Sequence, residues 1–427
     1  MKTLLMLAGF LAISLIMMGA TLLSLSVVAA GVTSIDLNGD ITAVQTPHHE
    51  HSGHGSSLVE KHDIGNGQKI QALGEFEKLI ANYSTDWNGA KPPEDDDAAR
   101  LFVSKGPFIE GDKTVWEYQM VVTDSQLTLA DGTDYKVWAF GGKIPGPTLV
   151  AREGDWIRIT LINETTVPHT IHSHGLYSPQ RMDGAPHPSM GGKHAQHDSN
   201  APKPVEPGEV FTYEFIARPA GTHFYHCHVK TNEHMARGLS GAFIVLPKEP
   251  DPEVDQDLVY VLQEWDSSYA QQGKPGHPRE ILGANFFTIN GRSFPGTQGI
   301  HTEVGDTIRL RFINAGTQEH YIHLHGHTFL VTHKDGAPME SPIEMDTMPI
   351  GPAERKDFIL RTNNPGDWPM HCHTAPHITN DGEYPGGMMM HLTVGPEKYP
   401  QTGEGPIGPG LEAIRQEWGA GAKMFMY

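Results

Sequence analysis

The sequence predicts an all-β protein: two tandem antiparallel sandwiches with Greek-key connections, preceded by an N-terminal hydrophobic segment and a flexible linker. Three observations carry this: a long internal repeat, short β-branched and aromatic runs, and turn residues punctuating those runs. In the repeat, Gly154-Asp155-Trp156-Ile157-Arg158-Ile159-Thr160-Leu161-Ile162-Asn163 returns as Gly305-Asp306-Thr307-Ile308-Arg309-Leu310-Arg311-Phe312-Ile313-Asn314, an offset of 151 residues. The same offset carries His169, His172, His174 and Gly175 onto His320, His323, His325 and Gly326. Further on, His226-Cys227-His228 recurs as His371-Cys372-His373. A duplicated domain explains all of these matches together.

Within each copy the runs are strand-like, as over 156–162, 211–216, 242–246 and 307–313. Clusters such as Pro145-Gly146-Pro147 separate them. The reading places one domain over 114–248, a second over 256–396 and a C-terminal tail over 397–427. Ahead of them, residues 4–30 carry no charged side chain. That is enough to span a bilayer, which takes about 20 residues, and the Ser-Val-Val-Ala-Ala run ending at Ala30 also suits cleavage. Residues 1–30 therefore read as a signal peptide or a membrane anchor. Either way the remainder is expected outside the cytoplasm, secreted or held on the outer face of the membrane.

Residues 31–113 read as a linker with little core of its own. It holds His48, His49, His51 and His54, an acidic patch over 94–97, and helix-like spacing over 70–83. The His-rich tract is either a loose metal binder or a solvated tail.

Composition narrows the function. The chain carries 31 Lys+Arg against 51 Asp+Glu, a formal charge of −20, which disfavours nucleic acid as a partner. Histidine, at 26, is in large excess over the two cysteines, which could form at most one disulfide.

The histidine spacing points to metal. Side chains two apart on a strand share a face, so His226 and His228 point one way and Cys227 the other. The same parity holds for His371 and His373 around Cys372, for His172 with His174, and for His323 with His325. His169 and His320 have the opposite parity, which sends them towards the cysteines. Each domain thus offers four imidazoles on one face and a Cys–His set on the other. An isolated histidine is more often a hydrogen-bonded core residue. Twelve in two matching sets would leave unpaired polar atoms, at about 1–3 kcal/mol each, unless they bind metal. Structural zinc sites usually pair their cysteines, whereas a His₂Cys set with a weak axial ligand suits blue copper.

On these motifs the chain resembles the multicopper oxidases, specifically two-domain, laccase-like members built from cupredoxin folds. The resemblance covers roughly residues 115–394 and rests on His-Ser-His-Gly at 172–175, His-Leu-His-Gly at 323–326 and the two His-Cys-His strings. Ile144-Pro145-Gly146-Pro147 also resembles the family's first-domain turn. The resemblance implies type 2 copper ligands at His172 and His323. It implies type 3 ligands at His174, His226, His228, His325, His371 and His373, together a trinuclear cluster of eight imidazoles.

It further implies a type 1 set of His320, Cys372, His377 and Met388, and a second set of His169, Cys227 and His234. Leu239 aligns with the axial Met388, which would leave the first-domain copper three-coordinate and harder to oxidise; Met235 is the other axial candidate. Asp183 resembles an acidic proton relay, with a turn residue as the plainer reading.

The implied reaction oxidises a phenol, Cu(I) or a small electron-donor protein by single electrons and reduces O₂ to water. The implied assembly is a homotrimer with clusters at subunit interfaces, although an intrachain cluster is open on sequence alone. Two rivals are copper nitrite reductase, which has Asp in place of His172 and no histidine at His228, and a non-catalytic copper carrier. The carrier draws on the His48–His54 tract and on His187, His194 and His197. Met339, Met345, Met348 and residues 388–390 read either as thioethers for Cu(I) or as core filler.

Overall fold

The computed structural model describes residues 68–69, 90–91, 98–186, 202–268, 283–395, 405–406, 408–415 and 418. The hydrophobic segment, the His-rich and acidic tracts, the helix expected over 70–83, and His187, His194 and His197 lie outside these residues. Among the described residues no helix is long and apolar enough to cross a membrane.

Alternation in the sequence becomes alternation in burial. Along strand Trp156–Asn163, Ile157, Ile159 and Leu161 are fully buried, while Trp156, Arg158 and Thr160 are only partly covered. In the first sandwich's larger sheet this strand lies between Lys113–Thr128, to which it is parallel, and the edge strand Val210–Ile216, to which it is antiparallel. Opposite it lies a sheet ordered Gly146–Arg152, Ser240–Leu246, Gly221–His226, His172–His174. Tyr118, Ile159, Phe215, Tyr225 and Phe243 fill the space between, with Cys227 in the same core.

The second sandwich repeats the plan. One sheet runs Phe286–Ile289, Gln256–Trp265, Thr307–Asn314, Arg355–Arg361, Phe329–Lys334, Ala337–Met345. The other runs Ile300–Thr302, Met389–Val394, Gly366–Cys372, His320–Leu324, Thr347–Ile350. Phe312, Phe329 and Phe358 stack in its core, which also holds Cys372. The protein is thus all-β, two tandem sandwiches, as the sequence predicts, but the sheets expected to be antiparallel are mixed, with Lys113–Thr128 parallel to Trp156–Asn163 and Gln256–Trp265 parallel to Thr307–Asn314.

Two further features depart from the sequence reading. The first sandwich begins before the boundary expected at 114: Phe102–Glu110 pairs with Lys113–Thr128, Leu101 is buried and Phe102 stacks on Tyr118 at 5.9 Å. A register shift between Lys105 and Phe108, around Gly106-Pro107, breaks the period-2 pattern that would have revealed the strand. At the other end, Leu411, Ile414 and Trp418 of the tail pack on Leu330 and Ile359.

The repeated central strand also has a different fate in the second copy. Thr307–Asn314 is buried at every position, its polar face included. Strand Gly221–His226 of the first domain packs near it and near Arg355–Arg361. Arg311 meets Asp257 through two contacts of 2.7 and 2.8 Å, Asp357 at 3.2 Å, and the Thr222 hydroxyl of the first domain at 2.9 Å. Arg309 pairs with Asp251 at 2.7 Å beneath the Trp418 ring. A second contact between the domains is apolar, with Trp265 and Phe286 packed on Leu127, Tyr135 and Ile144.

Removing one member of a buried charge network strands the others. Arg311→Ala is expected to cost roughly 3–5 kcal/mol of stability. Denaturant unfolding checks this, and a loss below about 1 kcal/mol, the scale of an exposed pair, would mean the network does not hold the domains together.

Candidate metal centres

Strand pairing sorts the side chains. Gly221–His226 runs antiparallel to His172–His174, with His226 opposite His172 and Phe224 opposite His174. Gly366–Cys372 runs antiparallel to His320–Leu324, with His371 opposite His323 and Cys372 opposite Ile322. Successive side chains alternate faces, so each cysteine enters its core while its flanking imidazoles face outward with the His-x-His pair.

On the inward face, Cys227 Sγ lies 3.1 Å from His234 Nδ1 and 3.7 Å from His169 Nδ1. In the second domain, Cys372 Sγ lies 3.5 Å from His377 Nδ1 and 3.9 Å from His320 Nδ1. All six residues are buried. Each sulfur also accepts a backbone N–H, from Thr170 and from Tyr321, both at 3.4 Å.

The position after each set is settled by backbone bonds. Leu239 donates to His234 O and accepts from Cys227 N; Met388 donates to His377 O and accepts from Cys372 N. Leu239 and Met388 are therefore structural equivalents, both fully buried. Met235 sits instead within the short helix Thr231–Ala236, which also accounts for the longer Cys-to-His spacing in this domain. In the second domain a single turn, Ala375–Ile378, carries His377.

The two sets differ electrostatically. Burial pushes the Cys227 thiol up to about 11, and burial followed by the neighbouring His234 pushes His169 down to about 3. Burial also works against the Cys372 thiolate, but hydrogen bonds from His320 and His377 outweigh it and bring the thiol to about 5. His320 rises to about 9, because Cys372 and Glu264 together overcome desolvation.

On the outward face each domain holds four imidazoles, three of them around the fourth. The His172 ring centre lies 5.0–5.3 Å from those of His174, His226 and His228. The His323 ring lies 4.9–5.6 Å from those of His325, His371 and His373. Backbone carbonyls orient four of the rings. His172 Nδ1 donates to Asp183 O at 2.7 Å and His323 Nδ1 to Asp346 O at 2.9 Å. His226 and His371 donate to the carbonyls of Cys227 and Cys372 at 2.9 and 3.0 Å. A carbonyl only accepts, so in these rings Nδ1 carries the proton and Nε2 keeps its lone pair. His226 Nε2 lies 2.9 Å from His174 Nε2, and His371 Nε2 lies 3.1 Å from His325 Nε2. Burial, then neighbouring histidine charge, pushes His174 down to about 3. Burial likewise brings His226 to about 3. Both rings are neutral at pH 7 and open to a metal.

Among the described residues, three groups bring metal-type ligand atoms within 4.8 Å of one another: His169–Cys227–His234, His320–Cys372–His377 and His172–His174–His226. The donor chemistry fits copper: one soft sulfur and two imidazoles inward, imidazoles alone outward. The structure does not bring all eight outward imidazoles together. Among the described residues no hydrogen bond or ring contact joins one set to the other. The second set is also more open: His325 and His373 are exposed, and His323 and His325 line a surface cleft of about 660 Å³ together with Arg361, Glu344 and Arg415.

Asp183 touches the first set twice, through its carbonyl and through Oδ1, 3.4 Å from His172 Nδ1. Asp346, whose carbonyl meets His323 as that of Asp183 meets His172, was not legible in the sequence, because the hairpin Phe329–Lys334 and Ala337–Met345 separates it from His323. The methionines divide plainly: Met348, Met388 and Met390 belong to the second core, and Met339 and Met345 pack against it.

Residues 121–250 and 270–398 each match a family model described as multicopper oxidase. Among solved structures, the chain is 42% identical to the blue copper oxidase from Nitrosomonas europaea, with a TM-score of 0.59, covering 65% of this chain and 85% of that one. It is 26% identical over 280 residues to a copper-containing nitrite reductase of Neisseria meningitidis serogroup B, covering 62% of this chain and 66% of that protein. It is 28% identical over 280 residues to Laccase-1 of Cryptococcus neoformans var. grubii, covering 58% and 42%. The match therefore spans under two thirds of these curated relatives' lengths. Two matched domains, each carrying a Cys–His₂ set behind an imidazole set, place the chain in the multicopper oxidase family, as a two-domain member built on the cupredoxin fold.

Proposed function

We propose that the protein is a laccase-like copper oxidase that takes single electrons from a reductant and reduces O₂ to water. One observation carries this reading: each domain presents four imidazoles, with His228 and His373 directly after the cysteines and His172 where a nitrite reductase has Asp. When bound, copper supplies one-electron redox chemistry at the two Cys–His₂ sets, as type 1 sites, and O₂ reduction at the outward imidazoles, as type 2 and type 3 sites.

The chain's own residues do the rest. Each cysteine lies between two outward imidazoles in sequence, so a few covalent bonds connect the inward and outward sites. The carbonyls of Asp183, Asp346, Cys227 and Cys372 hold four rings with Nε2 presented, which limits reorganisation during turnover. The Asp183 carboxylate, beside His172, is placed to pass protons to the cluster. The exposed imidazoles of the second domain support assembly of the cluster between chains, with the first-domain set of one chain meeting the second-domain set of the next. Such head-to-tail contacts close into a ring, here a homotrimer. The uncharged run over residues 4–30 supports a location outside the cytoplasm. The reductant is a phenol, Cu(I) or a small redox protein.

The nitrite reductase reading draws on the curated relatives of that name. Oxygen uptake and nitrite consumption, measured with one electron donor, separate the two. Four electrons consumed per O₂, without nitrite loss, is the expected result; nitrite loss without oxygen uptake would refute the proposal, and copper uptake with no turnover would favour a carrier.

Visible spectra test the type 1 assignment. Cys372→Ser is expected to remove one blue band and Cys227→Ser the other, and unchanged absorbance in both would defeat it. The interchain cluster predicts that dissociating the oligomer, followed by sedimentation, removes the near-ultraviolet signature of a coupled copper pair while both blue bands persist.

A further inference from the structure

We propose that Glu264 is a positioning residue of the second-domain Cys–His₂ site, and that it makes this site the easier of the two to oxidise. The inference rests on the type 1 reading above and extends it to the order of the two sites.

The duplication makes the comparison. Val122 O accepts from Glu164 N, and Leu262 O accepts from Ala315 N, so strands Lys113–Thr128 and Gln256–Trp265 occupy the same place in the two domains. Two residues further on, Asp124 corresponds to Glu264. Their cross-strand partners correspond too: Asp124 lies opposite Trp138, and Glu264 opposite Phe287.

From here the two copies diverge. Asp124 Oδ1 accepts from the Trp138 indole at 2.9 Å. Phe287 has no such donor, and the longer Glu264 side chain turns towards the metal-type histidine. Its Oε1 accepts from the Thr317 hydroxyl at 2.7 Å, from Gln318 N at 2.8 Å and from Thr317 N. Its Oε2 faces His320 Nε2 at 3.7 Å. Both atoms are buried and neither has another partner.

Room for this comes from one substitution within the repeat. Thr165 of the first copy is Gly316 in the second. The Thr165 hydroxyl sits 2.8 Å from His169 Nε2, a neutral contact. A Cβ at position 316 would lie 1.8 Å from Glu264 Oε2, so only glycine leaves space for the carboxylate.

The consequence is electrostatic. A carboxylate oxygen 3.7 Å from Nε2 favours, by charge, the tautomer with its proton on Nε2 and Nδ1 free to bind metal. A buried negative charge close to the site favours the more highly charged metal ion. Three donors on Oε1 fix the carboxyl in place, with Oε2 aimed at His320 Nε2. The axial residues act in the same direction, because Met388 offers a weak sulfur where Leu239 offers none.

The test is a spectropotentiometric titration of copper-loaded Cys227→Ser protein, in which only the second-domain site is blue. Glu264→Gln in this background is expected to lower the oxidised-to-reduced ratio at fixed potential about tenfold, a rise of about 59 mV for one electron. Gly316→Thr, which closes the space from the other side, is expected to move the potential in the same direction. In the Cys372→Ser background, Asp124→Asn is expected to leave the first site's potential unchanged. A retained blue band with an unmoved potential in both second-domain variants would overturn the role of Glu264. A shift of equal size in Asp124→Asn would overturn its specificity. Absence of the blue band from the Cys227→Ser parent would instead defeat the type 1 reading, and this inference with it.

Discussion

Everything in this molecule depends on the two-residue alternation of a strand that reads His-Cys-His, held in register beside one that reads His-x-His. Pairing fixes which face each side chain takes, and the two faces have opposite chemistry. The thiol enters an apolar core, where a second and a third ligand from nearby turns can reach it. The flanking imidazoles leave that core and meet two more from the neighbouring strand. A slip of one residue would put the sulfur among the imidazoles and the imidazoles into the core, so register and metal chemistry are one constraint. Apolar packing on both sides of the strand enforces it, with Phe224 and Tyr225 in one domain and Met370 in the other buried at the pairing line.

Duplication gave two copies of this device, but the copies no longer share an environment. Strand Trp156–Asn163 keeps one partly solvated face, whereas Thr307–Asn314 is covered on both. The second strand nevertheless keeps charged residues on the newly covered face. Arg309 and Arg311 are tolerated there because Asp251, Asp257 and Asp357 surround them, and because Thr222 extends the network into the first domain. Paired charges of this kind add geometric definition more than net stability. They fix how the first sandwich's cysteine strand sits against the second sandwich.

The parts of the site legible in the sequence were the local ones. Parity along a strand sorted the imidazoles from the cysteines, and aligning Gly238-Leu239 with Gly387-Met388 set Leu239 against Met388, which the backbone bonds then matched. The parts that were not legible come from remote chain segments. Asp346 reaches His323 only after a hairpin turns the chain around. Glu264 lies on a strand ahead of the repeat, where the spacing between copies differs, so its correspondence with Asp124 emerges only from sheet register. The early start of the first sandwich was hidden for a similar reason, since the irregularity near Gly106-Pro107 erased the period that marks a strand. How the imidazole sets combine is not encoded in spacing at all; it depends on which surfaces meet.

The first-domain imidazoles are partly enclosed: His226 is buried and His174 stacks on Phe224 at 4.3 Å. The second-domain set opens to a cleft, with His325 and His373 in solvent. Two identical open sets would suit a self-complementary contact between like surfaces, which closes as a dimer. One enclosed set and one open set suit a contact between unlike surfaces, and a contact of that kind leaves a free site at each end until a ring closes. Imidazole lone pairs left facing water gain little, but lone pairs from two chains sharing the same ions gain the metal-binding free energy at the moment of assembly. In the proposed oligomer, divergence between the two copies is therefore what makes closure possible, because each chain must carry one set of each kind.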